Sequence, residues 1–179
     1  MKKIILFSAF LATMLLCNTS HAQRMAEAGV LGAGLAWTSL NYGVSAKYNF
    51  TENHTGQVII GSANYGFSYS GQSSFSFTGR YSYNFDVGDV SFASYKPYVY
   101  GQAGYWTYKY DLGPYFGGEE YNLNAIAFGA GGGVEWSFND FVDGLSFSFE
   151  LGFTSVSFDG VGSIGGFNGG AGIHYYFNL

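Results

Sequence analysis

The sequence predicts an all-β fold, an eight-stranded antiparallel up-and-down transmembrane β-barrel. Three observations predict it. Apolar and polar residues alternate with period two through most of the chain, the mark of strands with two unlike faces. Aromatic residues make up 21% of the chain and charged residues only 11%, against about 25% charged in ordinary soluble domains. After residue 22 no apolar run approaches the roughly 20 residues a spanning helix needs. A chain so poor in charge and without spanning helices can satisfy its backbone in an apolar medium only by closing a sheet on itself.

The first residues stand apart. Lys2 and Lys3 precede an apolar run from Ile4 to Cys17, and a short polar stretch ends in Ser20-His21-Ala22. This is a basic region, an apolar region and a small-x-small cleavage site, read as a secretory signal peptide over 1–22. A lipoprotein signal ending at Cys17 is the alternative, but Leu16 stands where such signals carry a small residue. The barrel domain is then 23–179. Cleavage removes the chain's cysteine, which excludes disulfides and thiolate chemistry. It also leaves five basic residues against twelve acidic ones, a net charge of about −7 that argues against nucleic acid as a partner.

Turn signals divide the alternating pattern into strands near 27–37, 42–51, 57–69, 74–85, 97–110, 124–138, 144–158 and 164–179. The connections at 51–56, 86–96 and 139–143 fall on one end. Those at 38–41, 70–73, 111–122 and 159–163 fall on the other. With the N-terminus in the periplasm, the first set is periplasmic and the second extracellular. Tandem hairpins with short links give an up-and-down barrel.

The chemistry of the two faces sets which one points out. Phe147, Phe149, Leu151 and Phe153 alternate with Ser148, Glu150, Gly152 and Thr154; Phe75, Phe77, Tyr81 and Tyr83 alternate with Ser76, Thr78, Arg80 and Ser82. The bulky face would overfill an eight-stranded interior. The small polar face carries too little charge for a soluble exterior. Outward aromatics meeting lipid, with Tyr and Trp at the interfaces, fit both facts. The 28 glycines then leave room inward for a few large polar side chains. Strand 97–110 resists this reading, because Tyr98, Tyr100, Trp106 and Tyr108 share a face with Gln102 while Val99, Ala103, Tyr105 and Lys109 share the other. Gln102 suggests that its own face is the inner one.

The segments Gly43-Val44-Ser45-Ala46-Lys47-Tyr48-Asn49-Phe50 and Gly131-Gly132-Gly133-Val134-Glu135-Trp136-Ser137-Phe138, together with the last strand, carry a resemblance. The chain resembles the OmpA/OmpX-like family of small outer-membrane barrels, in its stand-alone form without a periplasmic domain. The resemblance implies outer-membrane localisation after export, lipid contact, and delivery by the barrel-assembly machinery. In the last strand Ile173, Tyr175, Phe177 and Leu179 lie on one face. They look like the terminal assembly signal, although the family usually ends in Phe or Trp where this chain has Leu179.

Lys47, Arg80, Glu135 and Glu150 fall on inward faces, each about three to five residues from the expected periplasmic end, and His174 is placed alike. Charge inside a spanning segment is costly unless paired. Two cations and two carboxylates balance, so the expectation is one layer, a lumenal polar network that plugs the barrel; family members with filled interiors imply the same. The alternative is separate groups in lumenal water. No catalytic residue, cofactor or metal ligand is expected. His174 lacks a second histidine nearby, since His54 falls in an expected turn. A lipid-directed hydrolase would need Ser, His and an acid grouped at the outer leaflet. The glycine runs precede no helix and are not phosphate loops. The remaining function classes are a structural or surface-interaction protein and a narrow porin-like channel for small solutes. The 111–122 connection, with Asp111, Tyr115, Phe116, Glu119 and Glu120, is the expected contact loop.

Overall fold

The computed structural model describes residues 24–63, 73–111, 120–138, 142–160 and 162–177. The strands are β1 (Leu31–Thr38), β2 (Asn41–Thr51), β3 (His54–Ala63), β4 (Ser73–Asn84), β5 (Gly88–Val90), β6 (Ala93–Asp111), β7 (Glu120–Ser137), β8 (Leu145–Phe158) and β9 (Gly162–Phe177). Every pairing is antiparallel, and each long strand pairs with the next long one. β1 pairs with β9, which closes the ring. Eight long strands therefore form a closed up-and-down barrel with no crossover. β5 is extra: it pairs with β6 alone and turns part of the expected 86–96 connection into a small hairpin. Closure satisfies the interior backbone groups strand to strand, the condition for crossing lipid without helices.

Short-range chemistry sets the turns. Thr38 ends β1, and its Oγ1 accepts from Leu40 N at 3.1 Å and Asn41 N at 3.0 Å, so β2 starts three residues later, at Asn41. Asn53 ties the β2–β3 turn to the end of β4 by donating from Nδ2 to Asn84 O at 3.0 Å. Gly160, at φ +73°, supplies the left-handed residue that the β8–β9 turn needs.

The alternation decides the faces. Leu35, Trp37, Val44, Phe50, Phe77, Tyr81, Phe128, Phe149 and Leu151 are exposed and form an apolar belt around the barrel. Ser45, Lys47, Gln57, Thr78, Arg80, Glu135, Ser148, Glu150 and His174 are buried in the lumen. On β6 the Gln102 face points inward, so Tyr98, Tyr100, Trp106 and Tyr108 are lumenal while Val99 and Tyr105 face out. The interior is therefore more aromatic than a purely small, polar inner face.

Several strand limits differ from the sequence reading. Residues 27–30 precede β1, because Gly29 turns the chain at φ +80°. β6 begins at Ala93, ahead of Pro97, so Lys96 belongs to a strand and not to a connection. β6 and β7 pair out to Asp111 and Glu120, which shortens the expected contact loop. Asp111 and Glu120 sit at strand ends; Tyr115, Phe116 and Glu119 lie outside the described residues, as does Leu179. The end at which β1 begins and β9 finishes is the terminal end, and the opposite one the loop end.

Candidate functional site inside the barrel

Glu135 is the centre of the lumen. It projects from β7, two residues before that strand ends. Lys47, on β2, donates from Nζ to Glu135 Oε1 at 3.1 Å. Around the ring β2 and β7 are separated by three strands in either direction, so this ion pair crosses the barrel from wall to opposite wall. Tyr176 of β9 and Ser146 of β8 also donate to Oε1, at 2.9 and 2.6 Å. Lys96 of β6 lies 3.8 Å from Oε2. One buried carboxylate thus joins five strands of the eight. An ion withdrawn from water is stable only when charge and hydrogen bonds replace its hydration, and here four groups do so.

A second group lies beside it. Arg80 of β4 places Nη1 2.8 Å from the Glu150 carboxylate on β8. Its Nε donates to Gln102 Oε1 at 2.7 Å, and its guanidinium lies 4.6 Å from the centre of the Tyr100 ring. Gln102 passes the chain on to Thr154 at 3.0 Å. Tyr98 joins the two groups: its hydroxyl donates to Glu150 at 3.2 Å, and its ring centre is 5.8 Å from Lys47 Nζ. Asn168, on β9, donates to the same Thr154 hydroxyl. His174 is fully buried, with Nε2 2.9 Å from Ser45 Oγ, and forms no ion pair among the described residues.

The structure thus brings Lys47 to Glu135 and Arg80 to Glu150, and sets His174 apart on Ser45. The arrangement is two adjoining groups, not one layer. The charge balance differs too, because Lys96 gives three cations against two carboxylates among the described lumenal residues. Lys96 was missed because Pro97 beside it reads as a strand boundary, and because its long stem carries Nζ to a neighbouring strand's carboxylate. Tyr98 and Tyr100 share the Gln102 face that the sequence reading turns inward, but their part in these groups was not expected.

Glycines make room for these side chains. A Cβ on Gly131 would sit 2.7 Å from the Tyr100 hydroxyl, and one on Gly133 2.7 Å from that of Tyr98. The glycine run 131–133 of β7 is therefore a seat for inward tyrosines on the adjacent strand.

Both ends of the lumen carry apolar packing. At the terminal end a 3-10 turn, Arg24–Ala26, folds under the barrel and buries Met25 with Val30, Tyr176 and Val87. The Met25 carbonyl accepts from Lys96 Nζ and from Asn49 Nδ2, the latter at 3.1 Å. At the loop end Trp106, Tyr108, Ala63, Ala125, Ala127 and Val156 form a buried cluster. Among the described residues, no group of three or more His, Cys, Asp or Glu is arranged to hold a metal. His54 starts β3 and packs on Tyr81 and Tyr83 at the outer surface, with Nδ1 2.6 Å from the Tyr81 hydroxyl, so it shares nothing with His174. On β9, Ile173, Tyr175 and Phe177 share the outward face, and the Tyr175 and Phe177 rings meet edge to face at 4.9 Å.

Comparison with solved structures agrees with this geometry. The N-terminal β-barrel domain of Pseudomonas aeruginosa OprF superposes with a TM-score of 0.58, at 12% identity, over 84% of this chain and 98% of that one. The fold is that of the small outer-membrane β-barrels. Neisserial surface protein A superposes at 0.53, with 16% identity, over 84% of this chain and 94% of that one. No protein-family model matches the sequence. No curated protein matches it either.

Proposed function

We propose that the protein is an integral outer-membrane barrel with a closed lumen, serving the envelope as a structural and surface-presenting component and catalysing no reaction. The observation that carries this reading is the Lys47–Glu135 ion pair between opposite walls, reinforced by Lys96, Tyr176 and Ser146. Such a strut occupies the axis that a solute would have to follow. Above and below it Trp106 and Met25 are buried in apolar clusters. Eight strands leave an interior that side chains can fill, and here tyrosines fill the space that inward glycine leaves.

The outward belt supports lipid as the surrounding medium. The likeness to outer-membrane barrels supports the outer membrane as the place, with the loop end extracellular. In this reading residues 1–22 direct export, and the face of Ile173, Tyr175 and Phe177, continued in sequence by Leu179, is the strip the barrel-assembly machinery engages. The narrow-channel alternative needs an open axis, and the inward glycines that could provide one are seats for Tyr98 and Tyr100.

Liposome swelling tests the reading. Folded protein in liposomes should admit small sugars and amino acids no faster than empty liposomes do. Swelling that grows with the amount of folded protein would replace the closed barrel with a channel. Release of fatty acid from the same lipids would replace it with an enzyme.

A further inference from the structure

Asn49 holds more than its own strand. It is fully buried near the finish of β2, at the terminal end. Its backbone grips the chain just ahead of β1: Gly29 N donates to Asn49 O at 2.7 Å, and Asn49 N donates to Val30 O at 3.1 Å. Its side chain grips the turn further out, where Nδ2 donates to Met25 O and to Glu27 O, each at 3.1 Å. The orientation of the amide is set from the other side. Thr55 Oγ1 donates to Asn49 Oδ1 at 2.7 Å and accepts from Asn84 Nδ2 at 2.8 Å. A hydroxyl has one proton to give, and this one holds the Asn49 oxygen toward β3 and so its nitrogen toward the turn.

Residues 24–28 belong to no strand. The described bonds that join them to the barrel are the two from Asn49 and the one that Lys96 Nζ donates to the Met25 carbonyl. Met25 adds its packing on Val30, Tyr176 and Val87. Behind the segment Gly29 is exposed, left-handed at φ +80°, and has open space where a side chain would lie. On its flank a cleft of about 290 Å3 separates Ala26 and Glu27 from Glu52, Phe85 and Asp86. Three carboxylates line that cleft and no base does among the described residues, so like charges work against the seated position.

We propose that residues 24–28 are a hinged lid on the terminal mouth of the lumen, turning at Gly29 and latched by Asn49, which opens while the barrel and the Glu135 struts stay in place. A segment held by a few side-chain bonds opens at far lower cost than a closed ladder of eight strands. Opening brings water to Lys96 Nζ, and behind it to Glu135 and Tyr176, which the seated lid covers. Access to the lumen from the terminal end is thereby set by the lid, and passage through it by the struts. Asn49 acts as a positioning residue, since it touches the lid and not the Glu135 carboxylate.

This inference rests on the closed-lumen reading for what the lid guards. The two fail separately: liposome swelling with Met25 still covered would overturn the closed lumen alone, and the experiment below can overturn the lid alone. Met25 is the single methionine of residues 23–179, so its oxidation reports the lid without a label. Hydrogen peroxide transfers one oxygen to the thioether, giving sulfoxide and water, and mass spectrometry follows the rate. The protein is the folded mature chain in detergent micelles, with barrel unfolding followed in parallel by Trp106 fluorescence. Met25 should oxidise far more slowly than free methionine, at a rate that stays flat across urea concentrations in which the barrel remains folded. Asn49→Ala should raise that rate about tenfold or more, the effect of two lost hydrogen bonds. Thr55→Val, which removes the hydroxyl that orients the amide, should raise it less, and carries the test if a heat-dependent gel shift shows that Asn49→Ala does not fold. Glu150→Ala weakens the lumen away from the lid and should leave the rate unchanged. Oxidation that climbs with urea in step with barrel unfolding would overturn the proposal, because Met25 would then leave its seat only when the barrel does. So would a rate that ignores the latch variants, a rate that Glu150→Ala raises equally, or a rate equal to that of free methionine.

Discussion

Replacing Glu135 with alanine should be the most damaging single change in the lumen. The carboxylate accepts from Lys47, Tyr176 and Ser146 and faces Lys96 at 3.8 Å. Its loss leaves two ammonium groups in a buried space with no anion beside them. Breaking a buried pair by removing one partner costs about 3–5 kcal/mol. With a urea slope of about 1–3 kcal/mol per molar, the midpoint should fall by about 1–5 M. Glu150→Ala should cost less, because Arg80 keeps Gln102 at 2.7 Å and the Tyr100 ring at 4.6 Å. Lys47→Ala should also cost less, because Glu135 keeps Lys96, Tyr176 and Ser146. Adding Lys47→Met to Glu135→Ala should recover part of the loss, since it takes away one stranded charge. The assay is urea unfolding of the barrel in detergent micelles, followed by tryptophan fluorescence, with Trp106 buried in the folded lumen. Equal midpoints for the Glu135 and Glu150 variants, or no change in either, would refute the claim that Glu135 is the hub.

Other consequences follow from the same packing. Tyr176→Phe removes one donor to a buried carboxylate and should cost about 1.5–3 kcal/mol in that unfolding assay, with the barrel still formed. Met25→Ala empties a fully buried side chain beneath the barrel and should cost about 2–5 kcal/mol, read as a lowered midpoint. Gly131→Val puts a side chain where the Tyr100 hydroxyl and the Gly152 backbone already lie, at 2.7 and 2.8 Å, and should cost about 1–3 kcal/mol. Gly101→Ser, on the outer face with open space around it, should leave the midpoint unchanged and serves as the control.

The barrel was legible because its rule is local. A strand half in lipid and half in the lumen must alternate, and Leu145 to Phe153 or Phe75 to Tyr83 do so without interruption. The rule fails where both faces are aromatic. On β6 the inward Tyr98, Tyr100, Trp106 and Tyr108 are as apolar as the outward Val99 and Tyr105, and only the polar Gln102 separates them. Lys47, Arg80, Glu135 and Glu150 could be assigned to the lumen from their strands, but their pairing could not be read in advance. Contacts across a barrel depend on the register and tilt of strands that are not neighbours, and no sequence spacing records that. The Met25 stopper was hidden for a related reason. It lies outside the alternating pattern, and its burial is set by Tyr176, some 150 residues away along the chain.

Single-channel recording is the most direct test of a lumen closed by the Glu135 struts. Folded mature protein in a planar bilayer should pass no resolvable current steps, and Glu135→Ala combined with Met25→Ala, if it folds, should begin to pass them. Steady, reproducible steps from the unaltered protein would contradict the account, and would make Lys47, Arg80, Lys96, Glu135 and Glu150 the lining of a conducting path.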